Sequence, residues 1–475
     1  MNTLDMATST DQQPNQARAN AKCCTGQLAV WLTAAASLLA FGLASPAHAW
    51  GNHALAAYRV FENMPEVAKV APVTVEPLEA FLKAQEKAIE KLLADQETWL
   101  LANVPNYPAR PAALAFKANP AASDDARRLA FLNALRVAHD SRFALYYELD
   151  VSVPTDGVNF LRHIDVSTLP GLPNAPRRFV ALKAGEPVVA LKVLASGSFE
   201  PDFGLDINLF DDNPGNWGRT YAFGKLPFGN PKLNFSSQAP FHMGFYQEDK
   251  ILYVAAPFLK RTFPLVRVNQ FAELSALAFK SGHPYWGWRF AGLTLHYVQD
   301  LSQPYHASVS PGSGTVGLLI TNALAMAGFP KQKEETITLL SNRHLALERY
   351  QGQVLQQAVT GGAARELAQA LGNVKTDAAY PVWSPLYLRD VVAREAYAEA
   401  AALADVVAST LPASYVNDPA YDFGANAEGI DLYAEIARID ASRRQKLDAA
   451  LARLLTHFGA HSRNAVRGIL KAAGQ

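Results

Sequence analysis

The sequence predicts a mainly α-helical protein, with a β-hairpin and loop region inserted into the helical core. Apolar residues recur at roughly helical spacing in 54–150, and again in the alanine-rich stretch 349–475. The proline-free apolar run 285–295 indicates a buried helix between these two regions. Residues 177–194 instead contain two short apolar runs on either side of Gly185, a pattern typical of a hairpin.

Length and composition indicate a globular chain with a sizeable core. The chain has 475 residues, of which 49% are hydrophobic and 18% charged. Lys and Arg together number 43, as do Asp and Glu, so the formal net charge is zero. A neutral chain has no strong overall attraction for nucleic acid or for an anionic membrane. We therefore expect no stable nucleic-acid partner, and the oligomeric state stays open.

The N-terminal segment 1–49 has the features of a secretory signal peptide. Arg18 and Lys22 precede an apolar run over 28–43, and Ala47-His48-Ala49 forms a small-x-small cleavage site. A membrane anchor is the alternative, but the run is short for one. We predict cleavage before Trp50 and a secreted or periplasmic protein.

Both cysteines, Cys23 and Cys24, precede the predicted cleavage site. The remaining chain would have neither disulfides nor thiolate ligands. Any metal ion would have to be held by His, Asp, Glu and backbone groups, which favours zinc or another borderline divalent ion.

The most informative motif follows the apolar run 285–295. His296 and Asp300 are spaced by one helical turn and lie on one face of the helix, where they could hold one metal ion. Pro304 ends the helix, and His306 follows it directly. By itself the His296 and Asp300 pair also fits an ordinary polar helix end, and the nearby His306 favours the metal site.

Other candidate ligands are spread along the chain. His344 and Glu348 repeat the helical spacing of a His and a carboxylate. Signal cleavage would expose the amine and carbonyl of Trp50, which form a five-membered chelate that His53 could join. His242 lies among apolar neighbours and, taken alone, also fits a hydrogen-bonded core histidine. The uncharged segment 316–329 is too short to cross a bilayer, and we predict a core helix there, with an apolar flap as the alternative.

Taken in order, these motifs resemble the bacterial zinc-dependent phospholipase C family, whose fold is shared with the single-strand-specific zinc nucleases. The resemblance covers about 50–60 and 200–350, with a looser helical similarity to the C-terminus. Its central element is Gly292-Leu-Thr-Leu-His-Tyr-Val-Gln-Asp-Leu-Ser-Gln-Pro-Tyr-His-Ala307. The other elements are Trp50 with His53, the Pro201-Asp202 dipeptide, Phe241-His242-Met-Gly-Phe-Tyr246, and the His344 and Glu348 pair.

The resemblance implies a multi-helix core with three zinc ions in a cleft. One ion would be held by Asp202, His242, His296 and Asp300. A second would be held by His306, His344 and Glu348, and the third by Trp50, His53 and Asp300. Asp202 would also act as the catalytic residue that orients or deprotonates the attacking water.

The chain departs from the family pattern in the spacing of these ligands. Longer segments separate His53 from Asp202, Asp202 from His242, and His306 from His344. We therefore predict a single catalytic domain over 50–475, with insertions at about 100–200, 210–235 and 310–340. The added length also leaves Asp206 as an alternative to Asp202.

The predicted function is that of a secreted phosphoric diester hydrolase, with phospholipase C as the leading reading. It would release diacylglycerol and a phosphorylated head group, with a transient contact at a membrane surface. Glu348 favours a phospholipase, because the related nucleases more often have Asp at this place. A single-strand-specific nuclease or nucleotidase on the same fold is the first alternative, with Trp286, Trp288 and Trp383 as candidate base platforms. A non-catalytic zinc-stabilised binding protein is the second.

Overall fold

A computed structural model describes residues 52–169, 178–215, 217–229, 234–361, 365–427 and 429–475. All of these belong to one compact unit. The predicted signal peptide and Trp50 lie outside the described residues. The structure is 63% helical with few strands, which confirms the prediction of a mainly α fold.

The helices follow one another with short connections along most of the chain. The α-helices are α1 His53–Phe61, α2 Pro65–Ala68, α3 Leu78–Ala84, α4 Glu86–Asn103, α5 Asp124–Leu135, α6 His163–Val166, α7 Ala190–Gly197, α8 Trp217–Tyr221, α9 Ala239–His242, α10 Lys250–Ala255, α11 Pro264–Lys280, α12 Pro284–Leu301, α13 Pro304–Ala307, α14 Thr315–Met326, α15 Lys331–Val359, α16 Arg365–Leu371, α17 Ala393–Thr410, α18 Ala413–Val416, α19 Phe423–Asn426, α20 Leu432–Ile439 and α21 Ala441–Ala473. Short 3-10 helices span Ala112–Leu114, Glu200–Phe203, Asn234–Gln238, Pro257–Lys260 and Asp377–Ala379, and a π-helical turn spans Leu388–Val392.

The predicted β-hairpin over 177–194 is wrong. Strands β3 Phe179–Ala181 and β4 Pro187–Val188 do flank Gly185, but they do not pair with each other. Strand β3 pairs antiparallel with β2 Tyr146–Glu148, and β4 pairs antiparallel with β1 Val73–Thr74. The rest of the predicted second strand is the buried helix α7.

Helix α12 is the centre of the core. Each residue from Tyr285 to Leu301 is buried, so the helix has no solvent-facing side. It packs against α11, α7 and the long C-terminal helix α21. The prediction of a buried helix that ends just before Pro304 is confirmed.

Helices α7 and α12 cross at a pair of glycines. A Cβ atom at Gly292 would lie 2.5 Å from the carbonyl oxygen of Leu194 and 2.7 Å from the Cα atom of Gly197. A Cβ atom at Gly197 would lie 2.7 Å from the carbonyl oxygen of Arg289. The two backbones approach this closely because neither position has a side chain.

Segment 316–329 is not the predicted core helix. Most of it forms α14, which contains no buried residue. The alternative of an apolar flap stays a prediction. Among the described residues, no helix combines the length and the apolar character needed to cross a bilayer.

We expect Gly292→Ala to lower the free energy of unfolding by about 3 kcal/mol, because the new methyl group overlaps backbone atoms of α7. Gly317→Ala in α14 is the matched control, because a Cβ atom there meets no atom within 4 Å. Alanine has the higher helix propensity, so the control should be stabilised by up to about 1 kcal/mol. Denaturant unfolding of both variants measures the difference, and equal effects would contradict the close crossing.

Candidate metal centre

Three groups of buried His, Asp and Glu side chains have ligand atoms close enough to hold metal ions. Within each group the candidate atoms lie within 4.8 Å of one another. The first group is His53, His296 and Asp300; the second is Asp202, His242 and His296; the third is His306, His344 and Glu348. All of these residues are buried, at 5% exposure or less.

Local sequence places these side chains at the ends of short elements or in the interior of helices α12 and α15. Asn52 caps α1 by accepting a hydrogen bond from the Leu55 amide, so His53 is the first residue of that helix. Asp202 lies in a 3-10 turn that begins at Glu200 with a proline in its first turn, and His242 is the last residue of α9. The remaining five ligands are on α12, α13 and α15.

The first two groups meet at Asp300. Its Oδ1 atom lies 3.3 Å from Nε2 of His53. Its Oδ2 atom lies 2.9 Å from Nδ1 of His242 and 3.3 Å from Nε2 of His296. The two oxygens of one carboxylate thus face different histidines, which is the geometry of a bridging ligand.

Asp202 adds a second carboxylate to this region. Its Oδ1 atom lies 3.7 Å from Nε2 of His296 and 3.9 Å from Nδ1 of His242, and its Oδ2 atom lies 4.0 Å from Nε2 of His53. Nε2 of His296 and Nδ1 of His242 are 3.0 Å apart. Ligand atoms around a tetrahedral zinc ion with bonds of 2.0–2.1 Å are separated by about 3.3 Å. The observed separations are therefore of the size that zinc requires.

The third group is formed by α13 and α15. Oε1 of Glu348 lies 2.7 Å from Nε2 of His344 and 3.6 Å from Nε2 of His306. The His306 and His344 rings are 5.0 Å apart and nearly perpendicular. The ring of Tyr305 stacks on His344 at 5.3 Å, which fixes the plane of that imidazole.

Backbone carbonyl groups set the orientation of two imidazoles. Nδ1 of His296 lies 2.9 Å from the carbonyl oxygen of Ser198, and Nδ1 of His306 lies 2.7 Å from the carbonyl oxygen of His242. A carbonyl oxygen only accepts, so both Nδ1 atoms carry the proton and both Nε2 atoms offer a lone pair to a metal. Supporting hydrogen bonds of this kind are typical of metal-binding histidines.

Side-chain partners orient two more ligands. Nδ1 of His53 lies 2.8 Å from the side-chain oxygen of Gln299, which directs Nε2 of His53 toward Asp300. Oδ2 of Asp206 lies 3.5 Å from Nε2 of His242, on the side of the ring opposite to the metal-binding groups. The remaining contacts of Asp206 are to Nε of Arg267 at 2.8 Å and the hydroxyl of Tyr297 at 2.6 Å.

These contacts distinguish Asp202 from Asp206. Asp206 is engaged by Arg267 and Tyr297 and belongs to none of the three groups, whereas Asp202 belongs to the second. The segment that carries Asp202 is held to α12 because Nε of Arg289 donates to Glu200 at 2.6 Å. The geometry therefore favours Asp202 as the ligand and gives Asp206 an orienting position behind His242.

The electrostatics of the groups favour a bound cation. Burial opposes protonation of His242, but the Asp206 and Asp300 carboxylates outweigh it and raise the pKa of His242 to about 10. Burial also opposes ionisation of Asp300, yet His296 and the other neighbouring histidines hold the pKa of Asp300 well below its usual range. The region thus attracts positive charge, and a metal ion would supply it while displacing the His242 proton.

The third group is different, because burial favours the neutral form of His344. Burial lowers the pKa of His344 to about 3, although the charge of Asp300 opposes this shift. A neutral imidazole is the form that binds metal. In the described part of the chain, the buried atoms His53 Nε2, His306 Nε2 and Asp300 Oδ1 make no hydrogen bond. Buried polar atoms are rarely left without partners. An ion in the first group would satisfy His53 Nε2 and Asp300 Oδ1, and an ion in the third group would satisfy His306 Nε2.

All eight predicted ligands within the described residues fall into the three groups; the ninth, Trp50, lies outside them. That these buried His, Asp and Glu groups could hold metal ions agrees with the prediction of a metal site, while the identity and number of the ions stay predictions. Sequence reasoning missed the orienting groups Gln299, Arg267 and the Ser198 carbonyl, and it named Asp206 only as an alternative ligand to Asp202. Gln299 lies inside the central motif, next to Asp300, which is the one signal that could have identified it.

Comparison with known proteins adds no relative, since the chain matches no family model, no curated protein and no solved structure.

We expect His344→Ala to lower the zinc content by about one equivalent per chain, because it removes one of three ligands of a single group. Asp300→Ala should lower it further, because the two oxygens of Asp300 face His53 of the first group and His242 of the second. His457→Ala is the control, since His457 is half-buried beside Glu395, outside the groups. Metal analysis of the purified, folded variants measures the content. Wild-type zinc content in His344→Ala would contradict the third site.

Proposed function

We propose that the protein is a zinc-dependent phosphodiesterase and that its substrates are phospholipids, cleaved on the glycerol side as by a phospholipase C. The observation that carries this proposal is the sharing of ligands between the buried groups. His296 and Asp300 connect the first group to the second, and the His242 carbonyl oxygen holds His306 of the third. Neighbouring metal sites of this kind suit phosphoryl transfer better than a single structural ion does.

Bound zinc would supply a water of lowered pKa and neutralise charge on the phosphate. The ligands would be the eight residues of the three groups. Asp202 is the proposed catalytic residue, and its carboxylate would orient the attacking water or accept its proton. Ser198, Gln299 and Asp206 keep the imidazoles in orientations that leave one nitrogen of each ring for the metal.

The surroundings of the third group favour a lipid substrate. A small cavity adjoins His344, and its walls are largely apolar, with Phe228, Met243, Phe245 and Leu340 among them. The cavity has room for about one water molecule, so these walls give the third group apolar surroundings without enclosing a substrate group. A nuclease would instead need exposed aromatic rings on which bases stack. Of the three candidate platforms, Trp286 and Trp288 are buried, and Trp383 is half-buried and packs against the core.

The deciding assay compares two substrates. The chain that begins at Trp50, loaded with zinc, is incubated with phosphatidylcholine dispersions and, in parallel, with single-stranded nucleic acid. We expect chelator-sensitive release of phosphorylated head group from the lipid and no cleavage of the nucleic acid. Cleavage of nucleic acid alone would move the assignment to the nuclease reading.

We expect His296→Ala to lower the rate of lipid hydrolysis about a thousandfold or more, because the metal contributes several kcal/mol to transition-state stabilisation. His457→Ala is again the control and should keep the wild-type rate. Circular dichroism establishes that both variants fold. Full activity in folded His296→Ala would refute the assignment of the metal site.

A further inference from the structure

We infer that helix α14 docks the protein onto the surface of a zwitterionic lipid bilayer. The outer face of this helix would lie in the interfacial region of the membrane, parallel to its plane. This inference about binding rests on the surface of α14 alone. Its consequence for turnover, given below, rests also on the proposed function.

Helix α14 presents an apolar face to solvent. Its polar residues Thr315, Thr321 and Asn322 are half-buried, and Asn322 accepts a hydrogen bond from the buried Lys333. Leu318 and Leu319 also face the protein and pack against the core. The solvent-exposed positions of α14, and those just after it, carry only glycine and apolar side chains; the large ones are Val316 at 69% exposure, Ile320 at 53%, Leu324 at 38%, Met326 at 54% and Phe329 at 66%. The exposed face of a surface helix is ordinarily polar.

The exposed apolar surface extends onto helix α10, which contacts α14. Ile251 and Val254 of α10 are 55% and 82% exposed. The two helices and Phe329 together hold seven of the fourteen large hydrophobic side chains found exposed in the described residues. Single exposed apolar residues are ordinary, but such a concentration marks a binding surface.

The composition of this surface matches lipid better than protein. No charged residue occurs over 311–330, and the exposed face of α14 offers no side-chain hydrogen-bonding group. Protein interfaces carry about one hydrogen bond per 100–200 Å². A hydrocarbon layer asks for none, because the helix satisfies its own backbone groups. The acidic residues Asp249, Glu334 and Glu335 near the helix ends are matched in number by Lys250, Lys331 and Lys333. Surroundings without net charge favour a zwitterionic over an anionic lipid surface.

The size of the surface points the same way. A helix of 12 residues is about 18 Å long and about 10 Å wide, so one face covers about 200 Å². A stable protein interface buries about 800 Å² on each partner. The face is thus small for a dimer contact, whereas an interfacial helix needs only enough apolar area to enter the boundary of the bilayer.

The position of α14 connects this surface to the metal centre. Pro330 joins α14 to α15, which carries His344 about four turns and Glu348 about five turns further along. Val309 lines both the apolar cavity beneath α14 and the cavity at His344. If the protein is a phospholipase, docking through α14 brings the third group of ligands close to its substrate surface.

The test is flotation of the chain with phosphatidylcholine vesicles. We expect the wild-type chain to float with the vesicles at both low and high salt, because apolar insertion is not screened. The variant Ile320→Asn/Leu324→Asn should bind about a hundredfold more weakly, since each large apolar side chain contributes roughly tenfold or more. The matched control is Val374→Asn/Val382→Asn, which changes two exposed valines elsewhere at 55% and 69% exposure and should bind like wild type.

Three results would overturn the inference: no flotation of the wild-type chain, equal flotation of both double variants, or binding that salt abolishes. A lipid-free wild-type dimer that becomes monomeric in Ile320→Asn/Leu324→Asn would also overturn it, because a second copy would then cover the helix. Turnover separates this inference from the proposed function. Flotation without any hydrolysis would refute the phospholipase and leave the docking helix. Hydrolysis without flotation would refute the docking helix and leave the phospholipase.

Discussion

Buried negative charge without an arginine partner is the constraint on which the centre of this structure depends. Two nearby buried carboxylates are paired with arginine: Asp206 with Arg267, and Glu200 with Arg289. Asp300 is as deeply buried, yet its ion pairs in the described residues are all with histidines. Burying a charge is costly unless a counter-charge is present. Histidines provide one only when protonated, which is why a metal ion is the better partner.

The arginine pairs hold the candidate metal ligands in position. Arg267 fixes Asp206, which lies behind His242, and Arg289 fixes the turn that carries Asp202. The glycine crossing lets α7 lie close enough to α12 for the Ser198 carbonyl to hold His296. Each ligand is therefore positioned by the core itself, and little reorganisation would be needed when a metal binds.

The sequence was informative where the relevant contacts are local. The spacing of His296 and Asp300, and of His344 and Glu348, is a property of one helix, so it can be recognised without knowing the tertiary structure. The partners of β3 and β4 lie far away in the chain, at Tyr146–Glu148 and Val73–Thr74, and two extended runs near a glycine gave no sign of them. The distinction between Asp202 and Asp206 likewise needed Arg267, some sixty positions further along.

The wrong prediction for segment 316–329 has a physical explanation that bears on function. A hydrophobic sequence predicts burial only when water is the sole alternative environment. Helix α14 has the apolar sequence of a core helix, yet none of its residues is buried. Keeping such a face exposed costs solubility and offers no stability to the fold. Burial at a lipid surface would remove that cost. It would also explain why the candidate metal centre lies near that surface. The exposed helix and the enclosed ligands are thus explained together if the substrate is a membrane lipid.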